Sequence, residues 1–297
     1  MAETDLKATI KQYYDASDED VDRIIEILNS ESYKRTDQDF EFMDSDLARP
    51  IRLQMEYLKV QSVLNAKKIE KTIVVFGGTR VVQKQRAELK HKNAMQALEA
   101  SPNDEKLKYK LKVAESVLKK VKYYEESKEF AKKVAKYSQS HNNDVYVMTG
   151  GGPGVMEAAN KGAFEEGEES IGLNIDLPFE QFPNPYITPE LCFSFRYFAL
   201  RKLHFMNKAK ALVAFPGGFG TFDELFEALT VIQTKTIEPL PIILVGKHYW
   251  NRAVDFQFLS DEGVINPEDL SLFKIVETAD QAWAVILKWY KDRSVEL

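Results

Sequence analysis

Five short apolar runs rich in β-branched residues, each breaking off at glycine or proline, constrain this chain more than any other feature. Thr72–Phe76 ends in Gly77-Gly78, Asp144–Met148 runs into Thr149 and three glycines, and Ser170–Ile175 stops short of Pro178. Ala211–Phe215 ends in Pro216-Gly217-Gly218, and Pro241–Val245 ends at Gly246. Runs of this length and apolarity are the pattern of strands buried on both faces, as in parallel sheets. Helical segments separate them, which makes the connections βαβ crossovers. The fold expected is therefore α/β, a Rossmann-like, doubly wound parallel sheet. Phe273–Val276 reads as a last short strand, and Ala282–Leu287 as part of a closing helix.

Residues 1–70 read as a helical N-terminal extension and residues 71–297 as the Rossmann-like domain. In the extension, Ser17 and Asp20 form a capping-type start before the stripe of Val21, Ile24, Ile25 and Leu28. A second helix from about Asp46 to Ala66 carries Leu47, Ile51, Met55 and Leu58 on one face, with Pro50 tolerated in its first turn. Both are expected to pack on the core or on another subunit. The connection 79–143 is long for a crossover and divides at Ser101-Pro102-Asn103-Asp104, where Ser101 as N-cap and Pro102 at the first helical position predict a new helix. Leu107, Leu111, Ala114, Leu118 and Val121 alternate spacings of four and three, a coiled-coil seam. A helical hairpin inserted at about 83–140 is expected.

Composition removes several function classes. With 297 residues, 44% of them hydrophobic, a large buried core is available. No apolar run approaches the roughly 20 residues needed to span a bilayer, and the opening residues have neither a basic nor an apolar leader region. A cytoplasmic protein without a membrane partner is expected. Cys192 is the single cysteine, and His91, His141, His204 and His248 have no metal-ligand spacing, so neither a metal nor a cofactor is expected. The net charge is −6, yet Lys84–Lys136 holds 15 Lys/Arg against 8 Asp/Glu. That segment reads as a solvated helical surface rather than a nucleic-acid face, since no aromatic stripe for base stacking accompanies it.

The candidate chemistry lies where strands end. Gly150-Gly151-Gly152-Pro153-Gly154 precedes a helix starting near Val155, and Pro216-Gly217-Gly218-Phe219-Gly220-Thr221 precedes one starting near Phe222. Each turn lacks Cβ atoms where a phosphate must approach and offers backbone N–H groups at the positive end of a helix. Thr221 adds a hydroxyl. Neither turn is a triphosphate loop or a full dinucleotide fingerprint, so a nucleoside monophosphate is the expected small-molecule partner.

Pro216-Gly-Gly-Phe-Gly-Thr-Phe-Asp-Glu224, the upstream pair Arg201-Lys202 and the run GGGPGVMEA together resemble the LOG family, also labelled lysine-decarboxylase-like, over about Lys71–Trp250. The resemblance implies a phosphoribohydrolase that cuts the N-glycosidic bond of nucleoside 5′-monophosphates to free base and ribose 5-phosphate. Plant members act on cytokinin nucleotides, and bacterial relatives on AMP and other monophosphates. This chain has Ala199-Leu200 where the small members have His-Glu, and Glu157 where they have Gly; the Glu form is closer to the general bacterial nucleosidases, which favours AMP or another purine.

Such a reaction builds positive charge on the ribose ring, so a carboxylate beneath the ring stabilises the transition state and orients or deprotonates water. Glu224 is the candidate, with Arg201 acting on phosphate, ribose hydroxyls or leaving base. Gly151, Gly152, Gly154, Gly217, Gly218, Gly220 and Thr221 are candidate phosphate contacts. Glu157, Lys202 and Arg80 are further substrate-binding candidates, and Phe193, Phe195, Tyr197 and Phe198 form either a wall for the base or core. Asp223 reads as a helix-start charge. A homodimer or higher homo-oligomer is expected. The alternative function is a non-catalytic nucleotide sensor or carrier on the same fold.

Overall fold

The computed structural model describes residues 3–141, 144–178 and 182–297, so that Asn142 and Asn143, closing the long connection, lie outside the described residues. Two compact units, Met1–Leu58 and Lys59–Leu297, divide the chain. In the first, α1 (Glu3–Tyr14) packs on α2 (Asp18–Leu28), followed by α3 (Phe40–Asp44) and the start of α4 (Arg49–Ala66). Ser17 caps α2, its hydroxyl accepting the Asp20 amide at 3.2 Å, and Lys7 reaches Asp22 at 2.9 Å to tie α1 to α2. The stripe expected on α4 is not core. Leu47, Ile51, Met55 and Leu58 are all exposed, while Val60 and Leu64, on a different phase of the helix, are buried.

In the second unit the seven strands among the described residues are parallel: β1 (Lys71–Phe76), β2 (Val145–Thr149), β3 (Ser170–Ile175), β4 (Cys192–Phe195), β5 (Ala209–Ala214), β6 (Ile242–Val245) and β7 (Phe273–Val276). Their order, β4-β3-β2-β1-β5-β6-β7, runs outward from β1 in both directions. The fold is a Rossmann-like doubly wound sheet, whose direction reverses between β1 and β5; a crevice opens at the carboxyl ends of the strands at such a point.

Each strand buries alternate residues on opposite faces. Ile73, Val75, Val147, Val213 and Val245 meet α7 (Val121–Ser140), α8 (Val155–Glu165) and α13 (Ala279–Asp292). Val74, Phe76, Met148, Leu173, Leu212 and Leu244 meet α9 (Phe198–Asn207), α10 (Phe219–Gln233) and α11 (Lys247–Ala253), with α12 (Phe256–Asp261) at the edge.

Three local expectations change. β4 was not predicted: Cys-Phe-Ser-Phe is four residues long, and Phe193 and Phe195 are buried as strand residues in the core rather than forming a wall for a base. The insertion consists of the hairpin α5 (Lys84–Ala100) and α6 (Glu105–Lys119), whereas α7, which follows, is the sheet-covering crossover helix. The cap of α6 is Asp104 rather than Ser101, because the Asp104 carboxylate accepts the Lys106 and Leu107 amides at 2.7 and 3.2 Å. No helix among the described residues is long and apolar enough to cross a membrane.

Candidate active site

A cleft of about 280 Å³ opens at the carboxyl ends of the central strands, lined by Gly78, Gly150, Arg201, Gly218, Thr221 and Glu224 among others. The turn after β5 supplies most of its chemistry. Gly218 is the N-cap of α10, which begins at Phe219, three residues before the expected Phe222. The amides of Phe219 and Gly220 lie in the first helical turn, where no intrahelical carbonyl can accept from them, so they are free for an anion at the positive helix end. The Gly217 carbonyl accepts the Tyr249 hydroxyl, which fixes the turn from behind. Gly220 and Thr221 line the cleft beside Gly218.

Glu224 follows in the same helix. It is 8% exposed, and burial pushes its carboxyl up to about 7, against the opposing pull of the Lys202 and Arg201 charges. Arg201 enters from α9, where its Nε donates to the Leu173 carbonyl at 2.8 Å. Burial lowers the Arg201 pKa and the Glu224 carboxylate opposes this; a guanidinium remains charged regardless. A Cβ at Gly150 would stand 2.4 Å from Arg201 Nη2, so the absence of a side chain there admits the guanidinium to the cleft.

Lys202 is not among the residues lining the cleft. Its ammonium bonds Asp223 at 2.7 Å and Glu227 at 2.9 Å, so its contribution at Glu224 is through its charge. Asp223 both holds Lys202 and lines the cleft.

The turn after β2 is built differently. Gly151 donates its amide to Thr149 Oγ1 at 3.0 Å, and its carbonyl accepts the Asn184 amide at 2.9 Å. Asn184 Nδ2 donates to the Gly151 and Gly152 carbonyls, both at 3.2 Å, and to Asn160 Oδ1 at 2.9 Å. Asn160 in turn joins Thr149 at 2.7 Å and Ser170 at 3.0 Å. Gly154, at φ +80°, approaches the β1 turn so closely that a Cβ would stand 2.4 Å from the Gly78 carbonyl oxygen. Of this turn, Gly150 lines the cleft, while Gly151, Gly152 and Gly154 shape the backbone behind it.

Glu157, on α8, is outside the cleft lining and is held by two side chains from the long connection. Tyr124 donates its hydroxyl to Glu157 Oε1 at 2.9 Å, and Gln83 Nε2 donates to the same oxygen at 3.1 Å and to the Tyr124 hydroxyl at 2.8 Å. Burial raises the Tyr124 pKa, so the phenol stays a proton donor. Arg80 lies in a separate cavity of about 470 Å³ with Lys90 and Lys110 of the hairpin.

Sequence reasoning missed part of the cleft wall. Gly78, Met156 and Leu177 line it without having been expected there, whereas Phe198, one of the aromatic residues offered as a wall for the base, does line it, 51% exposed with the Arg201 guanidinium 5.9 Å from its ring centre. The glycine pair ending β1 was a readable signal for Gly78. Nothing local marked Gln83 or Tyr124, which reach Glu157 only through the fold.

Comparison with known proteins agrees with this arrangement. A family described as "Possible lysine decarboxylase" matches residues 156–286. The chain is 32% identical over 133 residues to cytokinin riboside 5′-monophosphate phosphoribohydrolase LOG1 of Arabidopsis thaliana, covering 43% of this chain and 60% of that protein. It is 24% identical over 143 residues to a protein of Oryza sativa subsp. japonica named "Probable cytokinin riboside 5′-monophosphate phosphoribohydrolase LOGL3", covering 46% and 64%. The chain thus spans under two thirds of the length of these curated relatives. Among solved structures, it is similar to the Moco carrier protein of Chlamydomonas reinhardtii at 17% identity and a TM-score of 0.42, over 75% of this chain and 99% of that one. The Arg201-Lys202 pair and the motif ending in Glu224 lie within the residues that the family model matches, and the chain is similar to LOG, or lysine-decarboxylase-like, proteins over that stretch.

Proposed function

We propose that the chain hydrolyses the N-glycosidic bond of a nucleoside 5′-monophosphate, releasing free base and ribose 5-phosphate. The observation that carries this reading is Glu224, a buried carboxylate facing a cleft that it shares with Arg201 and the helix-start turn Gly218–Thr221. The 5′-phosphate binds the free amides of Phe219 and Gly220 and the Thr221 hydroxyl. That anchor sets the ribose over Glu224, one helical turn further along. As the C–N bond breaks, the base takes the bonding electron pair and the ring gains positive charge, which the ionised Glu224 stabilises. Water adds at the vacated ribose carbon, with its proton passing to Glu224 and on to the departed base, which leaves the base neutral and the carboxylate ionised again. A carboxyl with a pKa of about 7 is half ionised near neutral pH and suits this proton transfer. Arg201 offsets charge on the phosphate or the leaving base.

The Glu157 form of the first turn favours AMP or another purine monophosphate, with a cytokinin riboside monophosphate second. Exposed Leu203 and Phe226 provide apolar surface for the homo-oligomer we propose. The test is incubation with a panel of nucleoside 5′-monophosphates and matching nucleosides, with chromatography for free base. Release from monophosphates alone is expected and names the base. Binding without release would overturn the enzyme reading in favour of a nucleotide sensor or carrier.

A further inference from the structure

A second cavity, of about 520 Å³, lies between the α6–α7 junction and α11. Lys119, Lys120, Lys122, His248 and Arg252 line it together with the rings of Tyr123 and Tyr249, and no acidic residue does. Five basic side chains around one concavity are unexpected in a chain of net charge −6.

The lysines nearby show how such charges are ordinarily neutralised. Lys128 reaches Glu125 at 2.9 Å, Lys132 reaches Glu165 at 2.8 Å, and Lys136 reaches Glu166 at 3.4 Å. Lys122, at the cavity rim, is paired with Glu277 at 2.6 Å. The others differ. Among the described residues, Lys119, His248 and Arg252 have no ion-pair partner, and Lys120 bonds only the neutral Ser116, at 2.5 Å to its hydroxyl and 3.1 Å to its carbonyl. Burial and the neighbouring Lys119 charge both lower the Lys120 pKa, the sign of cations crowded without a counter-charge.

The walls are also fixed before any ligand arrives. Tyr123 is 4% exposed, and Gly246, at φ +105°, packs so closely that an added Cβ would stand 2.9 Å from its ring. Glu277 holds Lys122 on one side and accepts the Lys247 amide at 3.0 Å on the other, joining α7 to α11. The volume exceeds what one phosphate needs and falls within the range of small-ligand sites.

From this we infer that the cavity between α6–α7 and α11 is a second anion site, which takes a small ligand carrying two or more linked phosphates. The phosphates lie among Lys119, Lys120 and Arg252, and the tyrosine rings offer the less polar wall. The site is separate from the glycine-turn cleft and does not depend on the reaction proposed there. Tyr249 stands between them, one side lining the cavity and its hydroxyl bonded to the Gly217 carbonyl.

The test is calorimetric titration of the full chain with inorganic tripolyphosphate at near-physiological salt. A site is expected whose Kd rises at least tenfold in the triple variant Lys119→Glu/Lys120→Glu/Arg252→Glu, whatever binds in the glycine-turn cleft. A variant of equal charge placed elsewhere, Lys106→Glu/Lys112→Glu/Lys235→Glu, is expected to stay within threefold of the natural chain. So is Arg201→Ala, which removes a cation from the glycine-turn cleft. Unchanged melting temperatures show that each variant is folded. No binding to the natural chain overturns the inference, as does equal weakening by both triple variants. Loss in Arg201→Ala with retention in the cavity variant assigns the anion to the cleft and also overturns it.

Discussion

The turn after β2 and the turn after β5 are near twins in sequence: each is glycine-rich, follows a buried strand and opens a helix with a glutamate in its first two turns. In the fold they part. The first is fastened through its own carbonyls, with Asn184 and Asn160 forming a buried polar knot behind Gly151 and Gly152. The second leaves its Phe219 and Gly220 amides to the cleft and is held at two carbonyls, Pro216 by the Gly78 amide and Gly217 by Tyr249. Their glutamates differ in the same way. Glu157 is fixed by Tyr124 and Gln83, whereas no hydrogen bond from the described residues reaches the buried Glu224 carboxylate. A turn that spends its polar groups on the protein is scaffold, and one that keeps them free is a binding surface. Glycine content alone does not distinguish the two.

That contrast can be broken by substitution. On the β5 side, Arg201→Met is expected to lower kcat/KM for AMP about a hundredfold, roughly 3 kcal/mol of transition-state stabilisation, with the fold intact. Steady-state assays check it; a loss below threefold would remove Arg201 from the chemistry.

Glu224→Gln tests the same region through stability. The folded carboxyl keeps its proton up to about 7, and the unfolded one releases it near the ordinary 4.5. Between those values the folded state binds more protons, so this group's effect is to lower stability as pH rises through the window. Glu224→Gln removes that penalty. It should raise the unfolding free energy at pH 8 by up to ~3 kcal/mol, with almost no gain at pH 4, as read by denaturant titration at both pH values.

On the β2 side the main cost is structural. Asn184→Leu leaves the Gly151 and Gly152 carbonyls buried without their side-chain donor and should destabilise the fold by about 2 kcal/mol in chemical denaturation. Tyr124→Phe removes one of two donors to Glu157 and should change kcat by about threefold or less, with little change in melting temperature. A hundredfold loss there would move Glu157 into the chemistry and erase the difference between the turns.

How much of this was legible in the sequence follows from how local each feature is. Buried parallel strands such as Thr72–Phe76 announce themselves because both faces are apolar, and Glu224 is legible because it sits within one short segment with its turn. β4 escaped because Cys192–Phe195 is too short to show a period and its phenylalanines read equally well as an aromatic cluster. The stripe of Leu47, Ile51, Met55 and Leu58 has sound helical spacing, but spacing does not say whether a face is covered, and this one is exposed. The Asn184 knot and the Tyr124–Gln83 clamp join residues far apart in the chain, and their partners exist only once the sheet has assembled.

The most direct measurement compares base release from AMP by the natural chain, Glu224→Gln and Glu157→Gln under identical conditions. Glu224→Gln is expected to lose a thousandfold or more in kcat, about 4 kcal/mol, while Glu157→Gln stays within tenfold. Full activity in Glu224→Gln, or equal loss in both variants, would contradict the assignment of the reacting carboxylate to the β5 side.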